Sequence, residues 1–289
     1  MKRSTPGMAE GVGLLPLLVV PAVALNMATF VWPMLNLAEL SFREGLPGGG
    51  LGQATTTATW SALAADSFTY ELMLRSVCFA VGITLLTLLA SYPLALFVHR
   101  APARWRSLLI VACVSPLLIS AVVRTYGWLI ILRDNGFLPG ILRSLDISAP
   151  RLMFNLTGVV IGMVEILMPY MILSLLAGFG RLSASLEEAA ASLGARPITV
   201  FLRVVLPLTA PGILLGCLLS FVLSVSSFIT PKLLGGGRVL LLATEIYDQA
   251  VVTLNWPVSA ALSVLALGIF GFALLAYGRL SRAMERSIA

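Results

Sequence analysis

Six long apolar runs, at about 14–35, 71–98, 107–132, 152–177, 208–228 and 258–280, take up most of the 289 residues. A helix of about 20 apolar residues, rising 1.5 Å per residue, crosses the hydrocarbon of a bilayer with its backbone hydrogen bonds closed internally. Charged residues make up only 11% of the chain and hydrophobic ones 58%. A soluble domain carries roughly 25% charge, so a water-facing globule of this make-up would lack the charges to cover its surface. The sequence therefore specifies an all-α, multi-pass membrane protein with six transmembrane helices, and it excludes a large soluble enzyme domain.

The first run follows Lys2 and Arg3. It is too long for the apolar core of a signal peptide and lacks a clear A-x-A cleavage site, so it reads as a retained span with Pro16, Pro21 and Pro33 as kink points. A Gly- and Thr-rich stretch from 36 to about 70, containing Gly48-Gly49-Gly50, is expected as a loop outside the bilayer. The expected organisation is an N-terminal span with an extracytoplasmic segment (1–70), a five-span transmembrane domain (71–280) and a short cytoplasmic tail (281–289).

The net charge of +6 invites a nucleic-acid reading until the charges are placed. With the N-terminus inside, the cytoplasmic segments hold Lys2, Arg3, Arg100, Arg104, Arg106, Arg181, Arg196, Arg203, Arg279, Arg282 and Arg286. Their acids are only Glu10, Glu187, Glu188 and Glu285. Lys and Arg bias in short loops sets topology, so both termini are expected in the cytoplasm and no nucleic-acid partner is expected. Cys78, Cys113 and Cys217 lie inside apolar runs, no C-x-x-C spacing exists, and His99 is the sole histidine. Neither a disulfide nor a metal site is expected.

Two charges fall within spans, Arg124 in the third and Glu165 in the fourth. An ionisable group at the bilayer centre costs roughly 2.5–3.5 kcal/mol on insertion scales, so neither should face lipid. Counted inward along straight helices, they sit about 13 Å and about 20 Å from the outer ends, a gap an arginine side chain can bridge. Two readings fit: a structural ion pair, or groups of which at least one lines a solute path. Tyr126, Trp128 and Tyr170 join them as candidates for stacking on a ligand or for anchoring at the interface.

The loop between spans four and five, about 181–207, differs from the others. Ser183 or Ser185 stands at capping distance ahead of Glu187 and Glu188, alanines follow, and Gly194 fits a C-cap. Pro197 suits the first turn of a second helix, with Val200, Phe201, Val204 and Val205 as an apolar side and Pro207 as its end at the membrane. The expectation is a cytoplasmic helix-turn-helix with an exposed apolar ridge suited to docking in a groove.

Glu188-Ala189-Ala190, three residues, Gly194, nine residues, then Val204-Val205-Leu206-Pro207 resembles the E-A-A-x3-G-x9-I-x-L-P loop of membrane subunits of binding-protein-dependent ABC importers. Val204 replaces the usual isoleucine. The resemblance runs from about 71 to 280 and becomes closer to the spermidine/putrescine-type branch. It does so through Ser115-Pro116 with Val123-Arg124-Thr125-Tyr126-Gly127-Trp128, through the segment from Phe228 to Arg238, and through Leu254-Asn255-Trp256-Pro257.

The resemblance implies a bacterial inner-membrane permease subunit with an ATPase-coupling loop at Glu187, Glu188, Ala189, Ala190, Gly194, Arg196, Leu206 and Pro207. It implies a second, distinct homologous permease chain, two cytoplasmic ATPase subunits and an extracytoplasmic binding protein that delivers a small solute, a polyamine or related compound. ATP and Mg belong to the ATPase partners. This chain has no G-x-x-x-x-G-K-[ST] loop, its only lysines being Lys2 and Lys232. Thr230, Pro231, Lys232, Gly235, Gly236, Asn255 and Trp256 are candidates for an outer loop or gate, the glycines also fitting a simple turn. The rival class, a stand-alone secondary transporter or channel, needs an internal repeat or discontinuous spans in matching halves, and no convincing self-similarity is seen.

Overall fold

The computed structural model describes residues 11–46, 49–146, 151–180 and 182–288. Lys2, Arg3, Glu10, Gly48 and Arg181, counted above among charges and turn residues, lie outside them. The described residues divide into two compact units, 1–65 with 249–264 and 66–248 with 265–289.

In the first unit α1 (Gly11–Asn26) continues into α2 (Trp32–Leu40) through a π turn at Met27–Val31. The Trp32 amide reaches back to the Met27 carbonyl, and this widened turn immediately precedes Pro33, whose missing N–H would otherwise break the ladder. Asn26 and Thr29 donate to the carbonyls of Ala22 and Leu25, so their polar groups are closed within the helix.

The stretch after the first span is not the plain loop expected from its glycines. The helix persists to Leu40, and β1 (Arg43–Gly45) then pairs antiparallel with β2 (Leu51–Thr55), followed by α3 (Ala58–Ala65). Gly49 and Gly50, at φ +93° and +124°, form the turn, where residues with a Cβ are strained. Trp60 of α3 donates to the Ser41 hydroxyl at 3.2 Å and packs on Phe42, fastening the hairpin's base. Segment 249–264 completes this unit, with Leu254 lying against Gly49.

The second unit opens with α4 (Ser67–Arg100), capped by Asp66, whose carboxylate accepts from the Phe68 amide and the Thr69 hydroxyl. Next come α5 (Ala103–Val114), a 3-10 turn at Ser115–Leu118, α6 (Ala121–Leu132), α7 (Phe137–Ser144) and α8 (Leu156–Phe179). Then follow α9 (Ala184–Ser192), α10 (Pro197–Val200), a π turn at Phe201–Val205, α11 (Leu206–Ser226), α12 (Ile229–Leu234), α13 (Leu242–Tyr247) and α14 (Trp256–Ile288), of which the part up to 264 belongs to the first unit. Asn155 caps α8 by accepting from the Gly158 amide at 3.0 Å.

Helices α4, α8 and α11 form the core of this unit. Lipid offers no hydrophobic drive between helices, so close approach at small residues has to supply the packing. Gly178 of α8 and Gly212 of α11 do this: a Cβ on Gly212 would lie 2.8 Å from the Gly178 Cα. Buried Met171, Leu175, Phe179 and Val205 fill one end, and Ile83, Leu132, Val159 and Met163 fill the other.

Five helices are long and apolar enough to cross a membrane, at Val19–Leu40, Ser67–Arg100, Leu156–Phe179, Pro197–Ser226 and Trp256–Met284. The sixth candidate, expected as one straight span at 107–132, is broken: Ala103–Leu118 and Ala121–Ser144 meet at 98°. Pro116 sits in the 3-10 turn, and Ile119 and Ser120 have left helical ψ values at 133° and 136°. The depth count for Arg124 along a straight helix therefore does not apply. Pro207 also departs from expectation, because it does not end a helix. The Leu206 amide bonds to the Phe201 carbonyl, so the π turn takes up the irregularity and the helix runs through from Pro197 to Ser226.

Candidate functional site

Two groups of functional candidates emerge in the second unit. Inside the bundle, Arg124 of α6 places one guanidinium nitrogen 2.8 Å from Glu165 Oε1 of α8. The same nitrogen lies 3.3 Å from the Glu165 carbonyl oxygen, and the other terminal nitrogen is 3.3 Å from the Pro116 carbonyl. The Trp128 indole N–H, one turn on from Arg124, donates to Glu165 Oε2 at 3.0 Å. The Arg124 side chain is 9% exposed and that of Glu165 34%. The cation is thus enclosed by three acceptors and the anion by two donors, as an apolar medium requires. The Pro116 carbonyl also accepts from the Ile119 amide at 3.1 Å, so Arg124 shares it with the turn that breaks the span.

Thr125 of α6 bonds through its hydroxyl to that of Thr230 in α12 at 3.0 Å, tying the break to the segment after α11. In that segment Pro231 is buried, Lys232 forms an ion pair with Asp248, and its ammonium lies 5.6 Å from the Tyr247 ring centroid. Phe228 stacks on Tyr247 at 4.9 Å. The Gly235 amide bonds to the Pro231 carbonyl. Gly236, at φ +57°, faces the Phe154 ring so closely that a Cβ would lie 2.5 Å from it. Asn255 and Trp256 belong to the other unit, where Asn255 accepts from the Val258 amide at the start of α14. Tyr126 and Tyr170 are exposed and take no part in the Arg124–Glu165 cluster.

The second group is the α9–α10 loop. Helix α9 closes with a Schellman turn: Ala195 N–H bonds to Ala190 O, Gly194 N–H to Ala191 O, and Gly194 takes φ +79°. Ser183 occupies the N-cap position but bonds to the Ser185 hydroxyl rather than capping the helix. Glu187 forms an ion pair with Arg100, the last residue of α4, at 2.6 Å. Glu188 and Ala189 are exposed and Ala190 is partly so. Arg196 is the N-cap residue of α10, Leu206 is half-buried and Pro207 exposed.

The ridge expected to be exposed faces the other way. Val200 and Val205 are buried, and Phe201 packs edge-on against Tyr92 of α4 at 5.7 Å. The exposed apolar residues are instead Leu186, Leu193 at 89%, Ile198 at 62% and Leu202. Periodicity identified the buried stripe but not which side the bundle covers. Leu193 could have been found as the residue just before a left-handed glycine, where the chain turns away from the helix axis.

The second unit thus holds a charge pair inside its helical bundle and a helix pair, α9 and α10, joined at a Schellman turn. Residues 105–286 match the model of the family described as "Binding-protein-dependent transport system inner membrane component". The "Spermidine/putrescine transport system permease protein PotB" of Escherichia coli (strain K12) is 36% identical over 225 residues, 77% of this chain and 82% of that protein. The "Molybdenum transport system permease protein ModB" of Mycobacterium bovis is 32% identical over 222 residues, 76% of this chain and 82% of its own. Among solved structures, a bacterial alginate ABC transporter in complex with its periplasmic protein superposes at TM-score 0.72 with 14% identity, covering 95% of this chain and 96% of that one. The chain belongs to the family of binding-protein-dependent inner-membrane transport components, the permease subunits of ABC importers.

Proposed function

We propose that this subunit forms part of the path for a small solute, a polyamine or related compound, and takes its driving motion through the α9–α10 loop. The observation that carries the coupling role is the Schellman turn at Gly194, the glycine of the E-A-A-x3-G stretch that resembles importer coupling loops, with Glu188, Ala189 and Leu193 exposed beside it. The partners are a second, distinct permease chain, two ATPase subunits that hold ATP and Mg, and an extracytoplasmic binding protein. Both termini lie in the cytoplasm, on the side of α9, as the Lys and Arg distribution favours. ATP hydrolysis belongs to the partners, since no phosphate-cradling motif occurs in this sequence.

Helix α9 is tied to α4 by Glu187 and Arg100, and α10 runs without a break into α11. A displacement of the loop by a closing ATPase dimer therefore reaches the bundle along two rigid helices. Charge reversal at the exposed Glu188 breaks no side-chain contact among the described residues and leaves its backbone carbonyl to accept from the Ser192 hydroxyl. Glu188→Lys is expected to insert and assemble but to lose solute-stimulated ATP hydrolysis in proteoliposomes, and wild-type stimulation would refute the coupling role.

The one-third exposure of Glu165 favours its lining the path. Uptake should fall in Glu165→Gln while assembly persists, and full uptake would remove Glu165 from the path. Polyamine is favoured over molybdate by the higher identity to the spermidine/putrescine permease. The ligand retained by the cognate binding protein tests that choice directly.

A further inference from the structure

Where α4 turns into α5, the surface holds a groove of about 370 Å³ lined by Phe97, Arg100, Ala101, Pro102, Trp105 and Leu109. Its walls are apolar, and Phe97 and Trp105 are exposed, as are Leu94, Leu108 and Val111 around them. Arg100 ends a 34-residue span, so the groove lies where the apolar helix meets water. Arg104 and Arg106 flank Trp105 in the first turn of α5. Neither side chain makes a hydrogen bond or ion pair among the described residues, and the one acid that meets this corner, Glu187, is already paired with Arg100.

We infer that this corner is a binding site for one anionic phospholipid, with an acyl chain in the groove and its phosphate at Arg104 and Arg106. Charge complementarity selects this occupant. Three guanidinium groups over seven residues, offset by one carboxylate, create a local positive potential that a zwitterionic lipid does not neutralise. An apolar helix of a partner subunit laid in the same groove would desolvate those cations without compensating them. The groove wall supplies what the chain of a lipid needs, and Trp105, just beyond the end of α4, adds an indole of the kind that favours the headgroup boundary. Because Arg100 both lines the groove and holds Glu187 of α9, the bound lipid lies directly against the anchor of the loop.

The test uses the assembled importer in proteoliposomes and reads the part of the tryptophan fluorescence that disappears in Trp105→Phe. Brominated phosphatidylglycerol should quench it at a roughly tenfold lower mole fraction than brominated phosphatidylcholine, since each arginine near the surface favours an anionic lipid. Arg104→Gln with Arg106→Gln should make the two lipids equal, while Arg104→Lys with Arg106→Lys should keep most of the preference. Millimolar inorganic phosphate should leave the quenching unchanged. Equal quenching by both lipids in the wild type overturns the site, as does a preference that survives the double glutamine change. Displacement by inorganic phosphate would mark a free-anion site instead, and no Trp105 quenching by either lipid would mean that protein covers the groove. If the glutamine pair fails to assemble, the wild-type lipid comparison still decides. The readout involves no ATP hydrolysis, so its failure is distinct from failure of the coupling role.

Discussion

Two arginine–glutamate pairs of similar length occupy different surroundings in the second unit. Arg124–Glu165, at 2.8 Å, is enclosed in the bundle with a carbonyl and an indole completing its bonds. Arg100–Glu187, at 2.6 Å, sits at the water boundary with its arginine 53% exposed. The same chemistry has different consequences because the surroundings differ. A buried ion left without its partner costs several kcal/mol, whereas an exposed pair contributes about 0–1 kcal/mol. The inner pair therefore fixes an arrangement within the bundle, and the outer pair joins α9 to α4 while contributing little to stability.

The largest test of that contrast is Glu165→Leu, which strands the Arg124 cation. It should lower stability by about 3 kcal/mol, read as a fall in thermal unfolding temperature in detergent. Adding Arg124→Leu should recover most of the loss, because an apolar pair leaves no bare charge, and a double variant no better than the single one would break the comparison.

Glycines divide the same way. Gly212→Ala forces a Cβ against the Gly178 Cα and the Ser174 carbonyl and should cost about 2 kcal/mol by overpacking. Gly194→Ala meets open space and should cost only about 1 kcal/mol, from its left-handed backbone. Thermal unfolding of the two variants side by side ranks them. The smallest effect belongs to Arg100→Gln, expected within about 1 kcal/mol of wild type and shrinking further as salt is raised.

Much of this was legible in the sequence, and the failures have physical causes. Apolar runs of this length have one solution in lipid, so the spans at 71–98, 152–177 and 258–280 emerged with only shifted ends. Gly194 was legible because a helix that must stop and turn needs a left-handed residue there. The break at Pro116 was hidden because Ser115, Pro116, Leu117 and Leu118 are as apolar as a continuous span, and hydropathy does not register direction. The hairpin at 43–55 was missed because strands of three and five residues carry too little alternation beside a glycine run. Whether Arg124 and Glu165 meet depends on how the two broken halves of the third span sit against α8, which is tertiary information.

The central claim is that the α9–α10 loop transmits ATPase motion to the bundle. Gly194→Arg and Gly194→Asn separate this from local folding, since asparagine tolerates the left-handed backbone and neither side chain meets another part of this subunit at the Cβ. The deciding measurement is binding-protein-stimulated ATP hydrolysis, with solute uptake, by the assembled importer in proteoliposomes. Near-wild-type values are expected for Gly194→Asn, and loss of both stimulation and uptake for an assembled Gly194→Arg. Wild-type coupling in Gly194→Arg would contradict the claim.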